Sequence, residues 1–315
     1  MQNFPKISVI IVTYNAEKYL EQAILSVIGQ NYPNLELIII DGKSTDGTVE
    51  IIKKYEQHIT YWVSEPDKGI YDAMNKGIDK ATGEWLYFLG ADDMLCERIL
   101  CDIFQGNPYK DIDFLYGDVL LKHSKQIIYG KKDIHTILFS TICHQACFYK
   151  RYLFNQLKKY EIHYQYIADW IFNIKVMLNT IPKKTLRYLH KTIAIYNEAG
   201  TSSSNKIGEE IKKLHYDILT TLKINSFYRW LLVGKPTKVI TNNFDFTKIG
   251  IDSVLFIQTL FKIRLKQENN YFKKIILSLF YVWHKPSKPI AEYKVLIGEV
   301  LFPKLYNLFK IIKIK

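Results

Sequence analysis

Four short runs of β-branched and aliphatic residues, each closed by a polar turn, punctuate the first hundred residues, with helical spacing between them. Residues 7–12 are apolar but for Ser8 and rich in β-branched side chains, the pattern of a strand buried on both faces. After Thr13, Tyr14 and Asn15, the residues Tyr19, Leu20, Ala23, Ile24 and Val27 recur at helical spacing. Residues 35–40 predict a second strand that ends at Asp41, and the segment KSTDGT caps a helix bearing Val49, Ile51, Ile52 and Tyr55. A third strand over 60–63, a helix over 70–81 and a fourth strand over 85–89, running into Gly90, Ala91, Asp92 and Asp93, complete the series. This alternation predicts an α/β fold with a doubly wound, mostly parallel sheet. Such sheets bind ligands outside the carboxyl ends of their strands. Thr13, Tyr14, Asn15, Asp41, Glu65, Asp67, Asp92 and Asp93 therefore share one rim.

Beyond residue 110 the pattern loosens into a mixed extension of the same sheet. Residues 114–121 and 126–129 read as paired strands, 145–149 as another, 168–178 as a helix and 192–196 as a strand before the turn EAGTSSS. From about residue 206 the signal is helical and rich in Ile, Leu, Phe, Tyr and Lys. The net charge of +12 is carried wholly by the last part of the chain: residues 1–218 hold 26 basic and 26 acidic residues, and residues 219–315 hold 17 and 5. We therefore expect a catalytic domain over 1–218 and a basic, amphipathic helical extension over 219–315.

The longest stretch without Asp, Glu, Lys or Arg, residues 134–149, is sixteen residues long and contains two His, against the roughly 20 mostly apolar residues of a membrane-spanning helix. The opening MQNFPKISVIIVTYN reads as a first strand and not as a signal peptide. Cys96, Cys101, Cys143 and Cys147 accordingly read as small buried hydrophobes in a reducing compartment; Cys143 and Cys147 flank His144 without forming a CxxC metal pair.

The rim chemistry narrows by elimination. A dinucleotide fold of the Rossmann type needs GxGxxG after the first strand and a P-loop needs GxxxxGK followed by Ser or Thr; this chain has TYNAEK there. A phosphate-bearing ligand can be held by another route, because adjacent carboxylates at a strand end suit a hard divalent cation that neutralises a diphosphate. Asp92 and Asp93 have that placement.

The run SVIIVTYNAEKYLEQAILSVIGQNYPNLELIIIDGKSTDGT, followed by EPDKGIYDAMNKGIDKATGEWLYFLGADD, resembles family 2 glycosyltransferases over roughly residues 6–200. EPDKGIYDAMNKG is similar to a bacterial subgroup that builds O-antigen and other surface polysaccharides. The resemblance implies the GT-A fold and inverting transfer of one sugar from a nucleotide-diphosphate sugar, by default a UDP-sugar, to an acceptor hydroxyl with Mg2+ or Mn2+. It places Thr13, Tyr14 and Asn15 at the nucleotide pocket, Asp41 on the base, Asp67 near the nucleoside, Asp92 near the ribose and Asp93 on the cation. Gly90 stands where many relatives have Asn. Asp169, in YIADWIFNIK, matches the family's catalytic base, His144 in TICHQACFYKR matches a position beside the donor or acceptor cavity, and Trp170 could stack on a sugar ring.

Two segments of the extension, 271–285 with its Lys, Trp and Tyr and 301–312 with Leu at helical spacing, predict interfacial helices. They point to peripheral attachment at the cytoplasmic face of an anionic membrane, where the acceptor would be a free glycan or one carried on a polyprenyl diphosphate. A homodimer contact is the other use of such helices. The basic residues alternate with long aliphatics and form no compact cluster, so nucleic acid is not an expected partner. A sugar nucleotidyltransferase would need a Gly-rich basic loop after the first strand, which is absent, and a catalytically inactive assembly partner would not need the carboxylates that are present.

Overall fold

The computed structural model describes residues 4–133, 136–180, 184–198 and 207–221, with side chains of the last segment described to residue 215. The chain divides into two compact units, residues 1–207 and 208–315. In the second, the described part is residues 208–221, within the helix α7, Ile207–Thr221. The expected loop over 200–204 and the two interfacial segments of the extension lie outside the described residues.

The first unit is built on one nine-stranded sheet. β1 (Ile7–Thr13), β2 (Leu35–Asp41), β3 (Tyr61–Ser64) and β4 (Trp85–Gly90) run parallel in the order β3-β2-β1-β4. Between them lie α1 (Leu20–Ile28), α2 (Thr48–Lys54) and α3 (Ile70–Lys80). All seven residues of β1 are buried, Ser8 and Thr13 included, which is why the strand shows no alternation of apolar and polar side chains. Each buried Ile or Val side chain contributes about 1.5–3 kcal/mol relative to exposure. The register sets the rim: Thr13 lies opposite Asp41, Asp41 opposite Ser64, and Val12 opposite Gly90. Strand order reverses between β1 and β4, and a crevice opens at such a switch point.

After β4 come β5 (Met94–Leu95), α4 (Ile99–Phe104), β6 (Phe114–Leu121), β7 (Ile127–Ile128), β8 (Cys147–Lys150), α5 (Tyr152–Gln156), α6 (Ala168–Thr180) and β9 (Leu186–Tyr196). The sheet continues from β4 through β8, β6 and β9 to β5, with β7 hanging on β6. β8 is antiparallel to β4 and to β6, whereas β9 is parallel to β6. The entry of β8 and the exit of β9 therefore both face the rim where β1 and β4 end. The strand expected over 192–196 begins six residues earlier, at Leu186, where Arg187, His190 and Lys191 are exposed and interrupt the apolar pattern of Leu186, Tyr188 and Leu189.

Candidate active site

The backbone after β4 turns at once, with the Asp93 N–H donating to the Gly90 carbonyl. In this turn both carboxylates can reach one side. Asp93 is 2% exposed; its Oδ1 accepts the Asn197 N–H at 2.8 Å and its Oδ2 accepts Gln145 Nε2 at 2.6 Å. Asp92 is half-buried and accepts Asn197 Nδ2 at 3.1 Å through Oδ2 alone. Burial pushes the Asp93 carboxyl up to about 6, with the Asp92 charge adding to the effect and the bonds from Asn197 and Gln145 opposing it. A Cβ at Gly90 would collide with Asp93 Oδ2, so the departure from Asn at this position is what lets the carboxylate fold back over the turn.

The two groups that hold Asp93 come from the mixed half of the sheet. Gln145 sits in the 3-10 turn His144–Ala146 at the entry of β8, and Asn197 follows the exit of β9. Cys143 Sγ donates to Gln145 Oε1 at 2.8 Å, and His123 Nε2 meets Asn197 Oδ1 at 3.0 Å, so both carboxamides have fixed orientations. Cys143 thus acts through its thiol on Gln145, and all four cysteines are free.

Thr13, Tyr14, Asn15, Asp67, Asp92 and Asp93 line a cavity of about 490 Å³ together with Gln145 and Asn197. The Thr13 hydroxyl is buried there without a partner among the described residues, and Tyr14 is 64% exposed at the mouth. Asn15 adopts a left-handed φ of 48° and clamps the loop after β2: its N–H donates to Ser44 Oγ at 2.8 Å and its Oδ1 accepts the Thr45 N–H at 2.9 Å. Asp67 accepts the Gly69 N–H at 2.8 Å, and its other oxygen lies where a Cβ on Gly42 would be, 2.6 Å away.

Asp41 is placed differently from its expected contact with a base. It is fully buried and does not line the cavity. Its oxygens accept the Ser44 N–H at 2.9 Å, the Ser64 hydroxyl at 2.5 Å and the Ser44 hydroxyl, so it ties the ends of β2 and β3 from below. Trp170 also leaves the expected role: it is 5% exposed, its Nε1 donates to the Ile137 carbonyl at 2.5 Å, and it lines neither cavity, because the ring is spent on packing α6 against residues 136–138.

A second cavity of about 290 Å³ adjoins the first, sharing Gly69, Ile70, Met74 and His144 with it. Asp169, in the first turn of α6, lines this one. Tyr71 donates its hydroxyl to Asp169 Oδ1 at 2.5 Å, and His144 Nδ1 lies 3.5 Å from Asp169 Oδ2. Burial and the Asp169 charge hold the Tyr71 phenol well above its ordinary value, so Tyr71 is the donor in that bond. α6 is set in place by its aromatic underside: Phe172 stacks on Phe154 at 4.3 Å, and Tyr149 donates to Asn173 Oδ1 at 2.6 Å.

Residues 8–103 match the model of the glycosyl transferase family 2. The chain is 38% identical over 218 residues to a PGL/p-HBAD biosynthesis glycosyltransferase of Mycobacterium tuberculosis, a match covering 66% of this chain and 83% of that protein. An uncharacterized glycosyltransferase of Haemophilus influenzae is 27% identical over 320 residues, covering 88% and 98% respectively. Among solved structures, Staphylococcus aureus TarS 1–349 in complex with UDP-GlcNAc superposes with a TM-score of 0.61 at 17% identity, over 97% of this chain and 86% of that one. The chain belongs to glycosyltransferase family 2, and its curled, largely parallel sheet is the GT-A arrangement.

Proposed function

We propose that the chain transfers one sugar, with inversion, from a nucleoside-diphosphate sugar seated in the larger cavity to an acceptor hydroxyl presented in the smaller one. The observation that carries this reading is the juxtaposition of a buried carboxylate pair on one cavity with Asp169 on the adjoining one. UDP is the proposed nucleotide, in keeping with the UDP-GlcNAc bound by TarS. The relatives named for PGL/p-HBAD and teichuronic acid biosynthesis support an acceptor in surface glycolipid or polysaccharide assembly; a glycan carried on a lipid diphosphate is the acceptor we propose.

The residues of the turn after β4 fit a hard divalent cation. Asp92, with Oδ2 held by Asn197, lines the larger cavity beside Asp93, a buried carboxylate raised toward neutrality by desolvation and a like charge. Mg2+ or Mn2+ suits such a pair, since these ions take one or two carboxylates plus substrate phosphates and water. Bound there, the cation would neutralise charge on the departing diphosphate. Thr13, Tyr14 and Asp67 would contact the nucleoside, and Asp41 would act from beneath by holding Ser44 and Ser64. Deprotonation of the acceptor depends on Asp169, held by Tyr71 at Oδ1. A panel of UDP-, GDP- and dTDP-sugars with Mn2+ tests the reading: we expect release of nucleoside diphosphate from one of them, abolished by EDTA and by Asp93→Asn, and release from none would refute it.

A further inference from the structure

We infer that the hairpin of β6 and β7 is a membrane-contact element: Ile127, Ile128 and Tyr129 enter the outer layer of an anionic bilayer while the lysines around them meet its headgroups. The inference deepens the proposal of a lipid-carried acceptor and rests on that reading for its purpose. Ile127, Ile128 and Tyr129 are 42%, 46% and 66% exposed, the one run of consecutive large exposed hydrophobics among the described residues. Successive strand residues point to opposite faces, so exposure of all three means that β7 stands in solvent on both sides. An apolar edge strand left in that state is an aggregation site, and burial against another surface relieves it. Lys122, Lys125, Lys131 and Lys132 flank the run, and residues 119–132 contain no Asp or Glu. Lysines on an edge also keep sheets from pairing, which accounts for the charges and not for the Ile-Ile-Tyr run between them. Charge selects the occupant. A second copy of the hairpin would bring lysine against lysine, and residues 219–315, with 17 basic and 5 acidic residues, are no complement to it either. An anionic lipid surface satisfies both halves of the pattern, taking the lysines at its headgroups and the apolar side chains just beneath them.

The hairpin is pinned at both ends, and its pins reach the transfer site. At its base, Asp118 Oδ1 accepts the Gly130 N–H at 2.8 Å and the Tyr188 hydroxyl at 2.7 Å. A Cβ on Gly130 would lie 1.9 Å from the Gly117 carbonyl oxygen, so glycine is required where the chain returns along β6. At its tip, the Glu198 carboxylate accepts the N–H groups of His123 and Ser124 at 2.8 and 3.0 Å. Lys122 Nζ lies 5.9 Å from the centre of the Tyr19 ring, and Tyr19 lines the larger cavity. The bond between His123 and Asn197 continues the tie, since Asn197 holds both Asp92 and Asp93. A bilayer seated on the hairpin is therefore in fixed register with the cavities, and a sugar on a membrane-anchored carrier meets them at a set distance from the lipid.

The test is hydrogen–deuterium exchange of the full-length protein at low salt, alone and with vesicles of phosphatidylglycerol or phosphatidylcholine, read on peptides spanning residues 119–133. We expect phosphatidylglycerol to slow exchange there several-fold and phosphatidylcholine to leave it unchanged. Co-flotation with phosphatidylglycerol without that slowing would place the contact elsewhere and overturn the inference, as would no co-flotation at all. Slowing that grows with protein concentration in the absence of vesicles would give the hairpin to a second copy of the chain and overturn it too. The pair Lys125→Asn and Lys131→Gln is expected to lower the partition coefficient on phosphatidylglycerol about 30-fold, and the pair Ile127→Ser and Ile128→Ser to lower it as well; a coefficient unchanged by either pair is contrary. Circular dichroism checks that the variants fold, and the wild-type exchange decides the matter if they do not. No sugar enters these measurements, so their failure leaves glycosyl transfer standing, and failure of the donor panel leaves the lipid contact standing.

Discussion

Asp93 is the residue where the competing forces at this site are clearest. Burial raises its carboxyl from the ordinary aspartate value to about 6, a difference worth roughly 3 kcal/mol between its protonation states. In the folded chain the proton is held more tightly than in the unfolded one, so between about pH 4 and 6 the native state binds the extra proton. This group's contribution therefore favours the native state at low pH and is lost as pH rises through 6. Without added cation, we expect the melting temperature of wild type to fall relative to Asp93→Asn from pH 5 to 7.5, and Mn2+ to raise it more at 7.5 than at 5. A cation effect independent of pH would disconnect Asp93 from the ion. Asp92 and Asp93 were legible in the sequence because a strand end predicts where a carboxylate emerges. Gln145, Asn197 and Tyr71 were not, because their roles are set by partners 52, 104 and 98 residues away. Nothing in a single amide or phenol announces such a partner.

Elements carry the site from both ends of the sheet. At the edge remote from the rim, Glu36 of β2 is 2% exposed and accepts Ser8 Oγ at 2.5 Å, Thr82 N–H at 2.8 Å and Thr82 Oγ1 at 2.6 Å, with Lys6 Nζ 2.8 Å away. Burial by itself would raise this carboxyl, but the bonds from Lys6, Ser8 and Thr82 together hold it at about 2. The sign is opposite to that of Asp93: the stabilisation is complete above the unfolded value near 4.5 and disappears as pH falls toward 2. Glu36→Gln leaves Lys6 and the two hydroxyls poorly matched, and we expect a loss of about 3 kcal/mol at pH 7 that shrinks in acid, read by urea unfolding. On the other side, Phe172 lies in α6 less than one turn from Asp169 and stacks on Phe154. Phe172→Ala is expected to cost about 3–5 kcal/mol and to lower turnover beyond the loss of folded protein, because the cavity it leaves frees the helix end that carries Asp169. The strands buried on both faces, β1, β2 and β4, were readable to within a residue as apolar runs. β5 was not, because two residues carry no period, and neither was the first half of β9, where exposed Arg187, His190 and Lys191 break the apolar pattern.

At the scale of the whole molecule, charge and chemistry occupy different parts of the chain. Residues 1–218 are electrically balanced and contain every residue of the site, whereas residues 219–315 hold 17 basic residues against 5 acidic ones. Among the described residues no helix is long and apolar enough to cross a membrane, and the attachment argued for the basic extension is an electrostatic one. A basic residue near an anionic bilayer contributes about 1 kcal/mol, and each 1.4 kcal/mol is a factor of ten in partitioning. Engagement of only four such residues would therefore raise the membrane partition coefficient by about three orders of magnitude. The interaction is screened within about 10 Å at 0.1 M salt and about 3 Å at 1 M. We expect the full-length protein to float with phosphatidylglycerol vesicles at low salt, to be largely released near 1 M salt, and to ignore phosphatidylcholine vesicles. Flotation that is equal on both lipids would assign the attachment to apolar insertion in place of charge. Absence from anionic vesicles at low salt would remove membrane attachment and leave subunit contact as the use of the basic extension.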